Sequence, residues 1–134
     1  MEKEQNLKEI VQQLLIRAQE KLESAQILLE NDKIDDSISR SYYGAYLAAR
    51  AALLLVGEEP KTHSGTLTLF GLRLIKPGLI PQDLGRAFTE LFEARQTSDY
   101  SVLTYYTSKD GKQMLQYAKT IVDSVQTMVK EKIL

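Results

Sequence analysis

The chain contains no cysteine, no tryptophan and a single histidine, His63, among its 134 residues. Without cysteine it cannot form disulfides, thiolate zinc sites or a thiol nucleophile. Metal ligation by clustered histidine and carboxylate is not indicated either, because the carboxylates are scattered over predicted solvent faces. A glycine-rich phosphate loop is also missing, so hydrolysis of nucleoside triphosphates by that route is unsupported. We therefore expect no metal and no cofactor.

Long hydrophobic runs are missing as well. The longest, Ala51 to Val56, is far too short to cross a bilayer. The charged segment Met1 to Gln5 leads into a helical pattern and does not resemble a secretion signal. The 17 basic and 18 acidic residues nearly balance, which gives no sign of a protein that coats itself with nucleic acid. These features predict a cytoplasmic protein, with no membrane partner and no DNA binding.

The apolar residues that are present recur at helical spacing along almost the whole chain. No segment alternates long enough to be a strand, and the length fits a single domain covering residues 1–134. The pattern predicts helices at roughly residues 7–30, 35–56, 64–76, 82–96 and 108–132. We predict the all-α class, with an up-and-down bundle of four main helices and one short extra helix.

Several residues mark the ends of these predicted helices. The segment 31–33 interrupts the first apolar pattern, and Asp35 or Asp36 is placed to cap the second helix with a side-chain oxygen. Gly57 stands where a left-handed residue would end that helix. Ser64 is the predicted cap of the short helix.

Small side chains dominate the second predicted helix, at Ser37, Ser41, Gly44, Ala45, Ala48, Ala49, Ala51 and Ala52. A glycine inside a helix costs about 1 kcal/mol relative to alanine. Gly44 therefore predicts close approach by a neighbouring helix.

Three polar motifs follow one another along the chain. Arg40 precedes Tyr42 and Tyr43 in the second predicted helix. The loop after that helix reads Lys61-Thr62-His63-Ser64-Gly65. The end of the fourth predicted helix leads into Arg95-Gln96-Thr97-Ser98-Asp99-Tyr100. Each motif alone is weak, whereas the three in this order are much more specific.

This order of motifs, over roughly residues 7–130, resembles the small stand-alone HEPN domains of bacteria and archaea, in the branch whose motif ends in aspartate-tyrosine. The resemblance implies a helical bundle that dimerises, often encoded beside a small nucleotidyltransferase in a toxin–antitoxin-like pair. It also implies that two copies of the motif lie near a two-fold interface, with the bulk-poor second helix close to it. Many members are metal-independent ribonucleases or toxins that use an arginine, four to six further residues, and then a histidine.

Carried over to this chain, the ribonuclease motif places its arginine at Arg95 and its histidine position at Tyr100. Metal-free RNA cleavage needs a base for the 2'-hydroxyl, an acid for the leaving oxygen and a cation for the phosphorane. Arginine suits the last role because its planar guanidinium binds two phosphate oxygens at once. Tyrosine, with a pKa near 10, is a poor base at neutral pH. Asp99 could act as a base but has no proton to give.

Arg95 has two interpretations that the sequence leaves open. It continues the apolar line of Leu84, Phe88 and Leu91, so its guanidinium should be partly buried and should need a partner. Asp99, one turn later, would supply an ion pair that closes the end of the fourth helix. The alternative is a pocket in which Arg95 binds phosphate.

A second set of candidates lies on and after the second helix. Tyr43, Tyr46 and Arg50 share one face at spacings of three and four, and this face contacts either a nucleotide or another helix. His63 is predicted to occupy a solvated loop or capping position, with a role in the site as the alternative. The candidate ligand-binding residues are Arg40, Tyr43, Tyr46, Arg50 and His63. The candidate catalytic residues are Arg95, Asp99 and Tyr100.

Three functions are compatible with these residues. The first is a nucleotide- or RNA-associated module that forms a homodimer and pairs with a small nucleotidyltransferase, which the missing motif histidine favours. The second is a metal-independent endoribonuclease in which Arg95 works with Asp99 and Tyr100 in place of the usual arginine–histidine pair. The third is a purely structural helical dimer whose polar motif only closes its own fold.

Overall fold

Helices make up nearly all of the structure. The computed structural model describes residues 2–103 and 105–133. Within these ranges the chain forms no strand, and its elements are α1 (Glu2–Glu30), α2 (Ile34–Leu55), α3 (His63–Leu69), a π-helical segment (Phe70–Ile75), α4 (Asp83–Tyr100) and α5 (Ser108–Ile133). The predicted all-α bundle is confirmed, with α1, α2, α4 and α5 as its main helices. No described helix is both long and apolar enough to cross a membrane.

The apolar faces of these helices meet in one core, with α2 at its centre. α2 contacts α1, α3, α4 and α5, whereas in the described part of the chain no Cα atoms of α1 and α4 come within 8 Å of each other. The helices α1 and α2 are joined by the short segment 31–33 and therefore run antiparallel. The largest fully buried side chains include Tyr42, Phe70, Phe88, Leu53, Leu91 and Ile121.

The small residues of α2 allow α1 to pack closely against it. A Cβ atom added to Gly44 would lie 2.8 Å from Cδ2 of Leu22 and 3.3 Å from the backbone oxygen of Ala18. The hydroxyl of Ser37 donates to the backbone oxygen of Ala25 at 2.8 Å. The close approach predicted at Gly44 is confirmed. The neighbours are within the same chain, so this face of α2 is already covered and is not free for a second copy.

Two helices are longer than the apolar pattern predicts. α1 begins at Glu2, before its first apolar residue, Leu7. α4 continues past residue 96 to Tyr100, and Ser101 then takes an extended conformation, with φ −95° and ψ 129°. The residues after Arg95 are polar and so extend no apolar stripe, yet none of them is a proline or glycine that would end a helix. As a result, Asp99 lies on the same helix as Arg95, one turn further on.

The predicted caps were only partly right. Gly57, with φ 82°, adopts the left-handed conformation predicted after α2. Asp35 and Asp36 do not cap α2; both lie in its first turn, where the helix dipole favours acidic side chains. Ser64 does not cap α3, because Thr62 accepts the hydrogen bond from the Gly65 backbone nitrogen at 2.8 Å instead.

The third predicted helix changes from α-helical to π-helical hydrogen bonding after Leu69. From Phe70 to Ile75 the backbone is π-helical, and the backbone nitrogen of Lys76 bonds to the oxygen of Gly71 at 2.9 Å. The buried ring of Phe70 meets the ring of Phe88 edge-on at a centroid distance of 4.9 Å. This segment therefore packs against α4 at Phe88, whose ring also stacks on Tyr42 of α2.

Candidate functional site

A polar and aromatic cluster forms where α2, the start of α3 and the end of α4 meet. α2 contributes Tyr42, Tyr43 and Tyr46, α3 contributes His63, and α4 contributes Arg95. We call these five residues the arginine–aromatic cluster. Residues three and four apart on a helix lie on the same side, so the three tyrosines of α2 can face one neighbour together.

Arg95 is held from several directions at once. Its Nη2 donates to the hydroxyl of Tyr43 at 3.0 Å. Its Cζ lies 5.6 Å from the ring centre of Tyr42 and 5.3 Å from that of Tyr43, within the range of cation–π attraction. Its Nε lies 2.9 Å from Oδ2 of Asp99. The guanidinium is therefore fixed by two rings, a phenol and a carboxylate.

The ion pair between Arg95 and Asp99 leaves hydrogen-bonding capacity unused. Although the two groups are close, the buried Nε of Arg95 makes no hydrogen bond with any described residue, so its N–H does not point at the carboxylate. Arginine carries five N–H donors. Only the bond from Nη2 to Tyr43 is made within the described residues, and the Arg95 side chain keeps 18% of its surface exposed. An anion could use the remaining donors on the Nη atoms, whereas the Nε donor is buried.

His63 is part of the cluster and not a solvated loop residue. It is the first residue of α3, its Nδ1 lies 2.7 Å from the hydroxyl of Tyr42, and its ring stacks on Tyr46 at 4.2 Å and 19°. Burial lowers the pKa of His63, and the positive charges of Arg95 and Arg50 lower it further. The imidazole is therefore neutral at neutral pH.

Tyr42 belongs to the site although its position on an apolar stripe assigns it only to the core. The residue is fully buried, and its ring stacks with those of Tyr46 and Phe88 at centroid distances of 5.9 and 6.1 Å. Burial raises the pKa of Tyr42 well above its usual value, so the hydroxyl beside His63 stays protonated. The sequence did contain a signal, because a buried tyrosine needs a polar partner for its hydroxyl.

Arg50 lies next to the cluster, two turns further along α2 than Tyr43. Its Cζ lies 5.9 Å from the ring centre of Tyr46, and it forms no ion pair with any described residue. Arg50 and Arg95 both act on His63 electrostatically. The face predicted for Tyr43, Tyr46 and Arg50 thus contacts α3 and α4 through its two tyrosines.

Two predicted site residues lie apart from the others. Arg40 is exposed on α2, and Tyr100 is 76% exposed at the end of α4. In the described part of the chain, neither makes a hydrogen bond, ion pair or ring contact with the arginine–aromatic cluster. The structure therefore brings together Arg95, Asp99, Tyr43, Tyr46, Arg50 and His63, and leaves Arg40 and Tyr100 outside.

Comparison with known proteins identifies the family. The family model of the HEPN domain matches residues 11–130. This chain belongs to the HEPN domain family. A UPF0332 protein of Thermotoga maritima is 30% identical over 115 residues, which cover 86% of this chain and 87% of that protein. "Putative toxin MJ0605" of Methanocaldococcus jannaschii is 32% identical over 126 residues, or 94% of this chain and 93% of that protein. A UPF0332 protein of Gloeobacter violaceus is 36% identical over 104 residues, covering 78% and 82%.

The chemistry available in this HEPN domain follows from its donors and rings. Arg95 offers unused N–H donors suited to phosphate oxygens. His63 offers a neutral imidazole whose Nε2 bonds to no described residue, and the aromatic rings offer surfaces for stacking. Asp99 competes with any anion for Arg95. Across the described ranges, no group of three or more histidine, aspartate or glutamate side chains is placed to hold a metal ion.

Proposed function

We propose that this HEPN protein is a toxin-like module that binds phosphate groups of RNA or nucleotides at the arginine–aromatic cluster. The observation that carries the proposal is Arg95, a guanidinium fixed among Tyr42, Tyr43 and Asp99 with most of its donors unused. A cation that is already oriented binds phosphate without first losing side-chain entropy. The toxin-like character rests on family membership and on the name of the Methanocaldococcus jannaschii relative.

The electrostatics of the cluster favour an anion. Arg95 and Arg50 together lower the pKa of His63, which means that both place positive potential at the imidazole. A phosphate bound beside the imidazole would interact favourably with that potential. The neighbouring faces of Tyr43 and Tyr46 would then lie near the base or ribose attached to it.

The test compares Arg95→Lys and Arg95→Ala with wild type in binding of AMP and of a short single-stranded RNA. Lysine keeps the charge but loses the planar, two-donor geometry, so we expect Arg95→Lys to lose most of the binding while the melting temperature stays close to that of wild type. Arg86→Lys is the matched control, because Arg86 is 85% exposed and lies elsewhere on α4. Absence of binding by wild type, with a large loss of stability in Arg95→Ala, would leave only the structural function.

We propose further that the protein acts as a homodimer and pairs with a small nucleotidyltransferase. This part rests on membership of the HEPN family and on the partners that the resemblance implies. Coexpression with the product of the adjacent gene, followed by size-exclusion chromatography, tests the pairing. A nucleotidyltransferase that coelutes with this chain supports it, and an adjacent gene of unrelated type contradicts it.

A metal-independent ribonuclease is the second candidate, and the position of His63 favours it. In this reaction the neutral imidazole takes the proton of the 2'-hydroxyl, and the 2'-oxygen attacks phosphorus. Arg95 stabilises the phosphorane, and the 5'-oxygen leaves with a proton from solvent, giving a 2',3'-cyclic phosphate. His63 here takes the part that Asp99 and Tyr100 have in the sequence-based hypothesis, because Asp99 is paired with Arg95 and Tyr100 is exposed.

Cleavage of RNA in the presence of EDTA tests this candidate. We expect His63→Asn to abolish cleavage while RNA binding remains, and 2',3'-cyclic ends to appear only with wild type. RNA that stays intact with wild type, although it binds, would exclude the ribonuclease and leave the binding function in place.

A further inference from the structure

A groove outside the arginine–aromatic cluster extends the positive surface onto α1. It encloses about 400 Å³ and is lined by Glu9, Ile10, Gln13, Leu14, Arg17 and Arg50. All of these residues except Arg50 belong to α1, which contributes no residue to the cluster. The groove is therefore a separate surface that shares one side chain with the neighbourhood of the site.

Arg50 connects the two regions. Its Cζ lies 5.9 Å from the ring centre of Tyr46, and Tyr46 stacks on His63 at 4.2 Å. Along α2, Arg50 stands seven residues after Tyr43, the tyrosine that binds Arg95. At about 1.5 Å per residue this is about 10 Å along the helix axis, on the same side of the helix. An extended ligand that starts at Arg95 and follows α2 would reach Arg50 and then the groove.

The charges in the groove favour an anion with a flexible backbone. Arg17 and Arg50 form no ion pair within the described residues, while Glu9 is the one acidic residue in the groove lining. Two arginines against one glutamate leave a net positive charge. Ile10 is 51% exposed and offers an apolar surface beside them. This combination suits a phosphate together with the ribose or base next to it.

We propose that the groove formed by Arg17 and Arg50 is a second phosphate subsite, and that the ligand is a single-stranded RNA several nucleotides long and not a mononucleotide. The inference rests on the proposed function of the arginine–aromatic cluster. A mononucleotide held at Arg95 and His63 has no phosphate left for Arg17. A single strand can extend from α4 across α2 to α1, and its bases can contact the half-buried rings of Tyr43 and Tyr46.

The experiment measures binding of AMP and of an RNA of about eight nucleotides to wild type and three variants, at several salt concentrations. Arg17→Gln should weaken RNA binding several-fold and reduce the slope of log affinity against log salt by about 0.7, the value of one lost phosphate contact in single strands. Binding of AMP should not change. Glu9→Gln should strengthen RNA binding, because it removes the negative charge from the groove. Arg86→Gln, at a fully separate surface of α4, should match wild type.

The outcomes distinguish failure of the second subsite from failure of the proposed function of the arginine–aromatic cluster. If wild type binds both ligands but Arg17→Gln and Glu9→Gln leave RNA affinity and salt slope unchanged, the second subsite is wrong and the cluster still binds phosphate. If wild type binds neither ligand, the proposed function fails, and the subsite fails with it. Misfolding cannot imitate the expected pattern, because a tighter complex in Glu9→Gln requires a folded protein.

Discussion

At the residue scale, the environment of His63 determines its charge. The ring is packed against Tyr46 and hydrogen-bonded to Tyr42. The positive charges of Arg50 and Arg95 also act on it. Burial of the ring opposes protonation most, and the charges of Arg95 and Arg50 oppose it further, so the pKa of His63 is lowered. A lone histidine in a sequence gives no indication of this, because its unperturbed pKa of about 6.5 would leave it poised near neutrality.

The lowered pKa of His63 predicts a pH dependence of stability. Because the folded pKa lies below the unfolded value of about 6.5, the unfolded chain binds more protons in the window between the two values. The free energy of unfolding should therefore fall as pH drops below about 6.5, and this contribution should be constant above it. Denaturant unfolding of wild type and His63→Gln across this range measures it. Parallel pH curves for the two proteins would contradict the prediction.

The ion pair of Asp99 with Arg95 predicts opposite effects on binding and stability. Asp99→Asn removes the competitor of phosphate for Arg95, so affinity for RNA or AMP should rise. The carboxylate is 32% exposed, so the loss of stability should stay below about 1 kcal/mol. Titration with AMP and thermal melting measure the two effects, with Asp123→Asn on the exposed face of α5 as control. Unchanged affinity together with a large loss of stability would support a purely structural pair.

At the element scale, the contact between α1 and α2 depends on the missing side chain of Gly44. Alanine there would gain about 1 kcal/mol of helix propensity, but its Cβ would lie 2.8 Å from Leu22 and 3.3 Å from the backbone oxygen of Ala18. The backbone oxygen cannot move without shifting α1.

We therefore expect Gly44→Ala to destabilise the protein by up to about 2 kcal/mol, because the usual cost of overpacking a core, about 1–3 kcal/mol, exceeds the gain of about 1 kcal/mol in helix propensity. Gly71→Ala is the matched control, because an added Cβ at Gly71 has nothing within 4 Å. It should be neutral or slightly stabilising. Denaturant midpoints of both variants test the comparison, and equal midpoints would show that α1 shifts to accommodate the added Cβ atom at little cost in stability.

At the scale of the whole molecule, the surface proposed for a second copy lies just after the end of α4. The small residues of α2 are buried within one chain, and Gly44 among them packs against α1. In contrast, Val102 and Leu103 are 84% and 88% exposed just after α4, and Tyr105 is 84% exposed. Exposed apolar side chains in such a group are typical of interaction surfaces. The proposed homodimer would therefore use this segment, next to Arg95 and Asp99.

This placement predicts the result of sedimentation at micromolar concentration. Wild type should be a dimer, and the double variant Val102→Ser with Leu103→Ser should shift it towards monomer without lowering the melting temperature of the monomer. Ile27→Ser is the control, because Ile27 is 61% exposed on α1, away from this segment. Sedimentation of wild type as a monomer would contradict the proposed homodimer.

The sequence by itself determined the features that depend on local spacing. The helical period set the all-α class and the main helices, because burying one face of each helix requires apolar residues at every third and fourth position. Gly44 revealed a close helix contact, and Gly57 the left-handed end of α2. Spacing also indicated the pairing of Arg95 with Asp99, since residues four apart meet on any helix that continues through both.

Only the tertiary structure decided which distant residues share the site. His63 meets Tyr42 across 21 positions of sequence, and Arg95 meets Tyr43 across 52. Such contacts depend on how α2, α3 and α4 pack, and no local period encodes that arrangement. The same packing buried Tyr42, lowered the pKa of His63 and left Arg40 and Tyr100 outside the cluster. Helix propensity acts within a few residues, whereas burial and electrostatic potential are sums over the whole fold, and for that reason the chemistry of this site appears only in three dimensions.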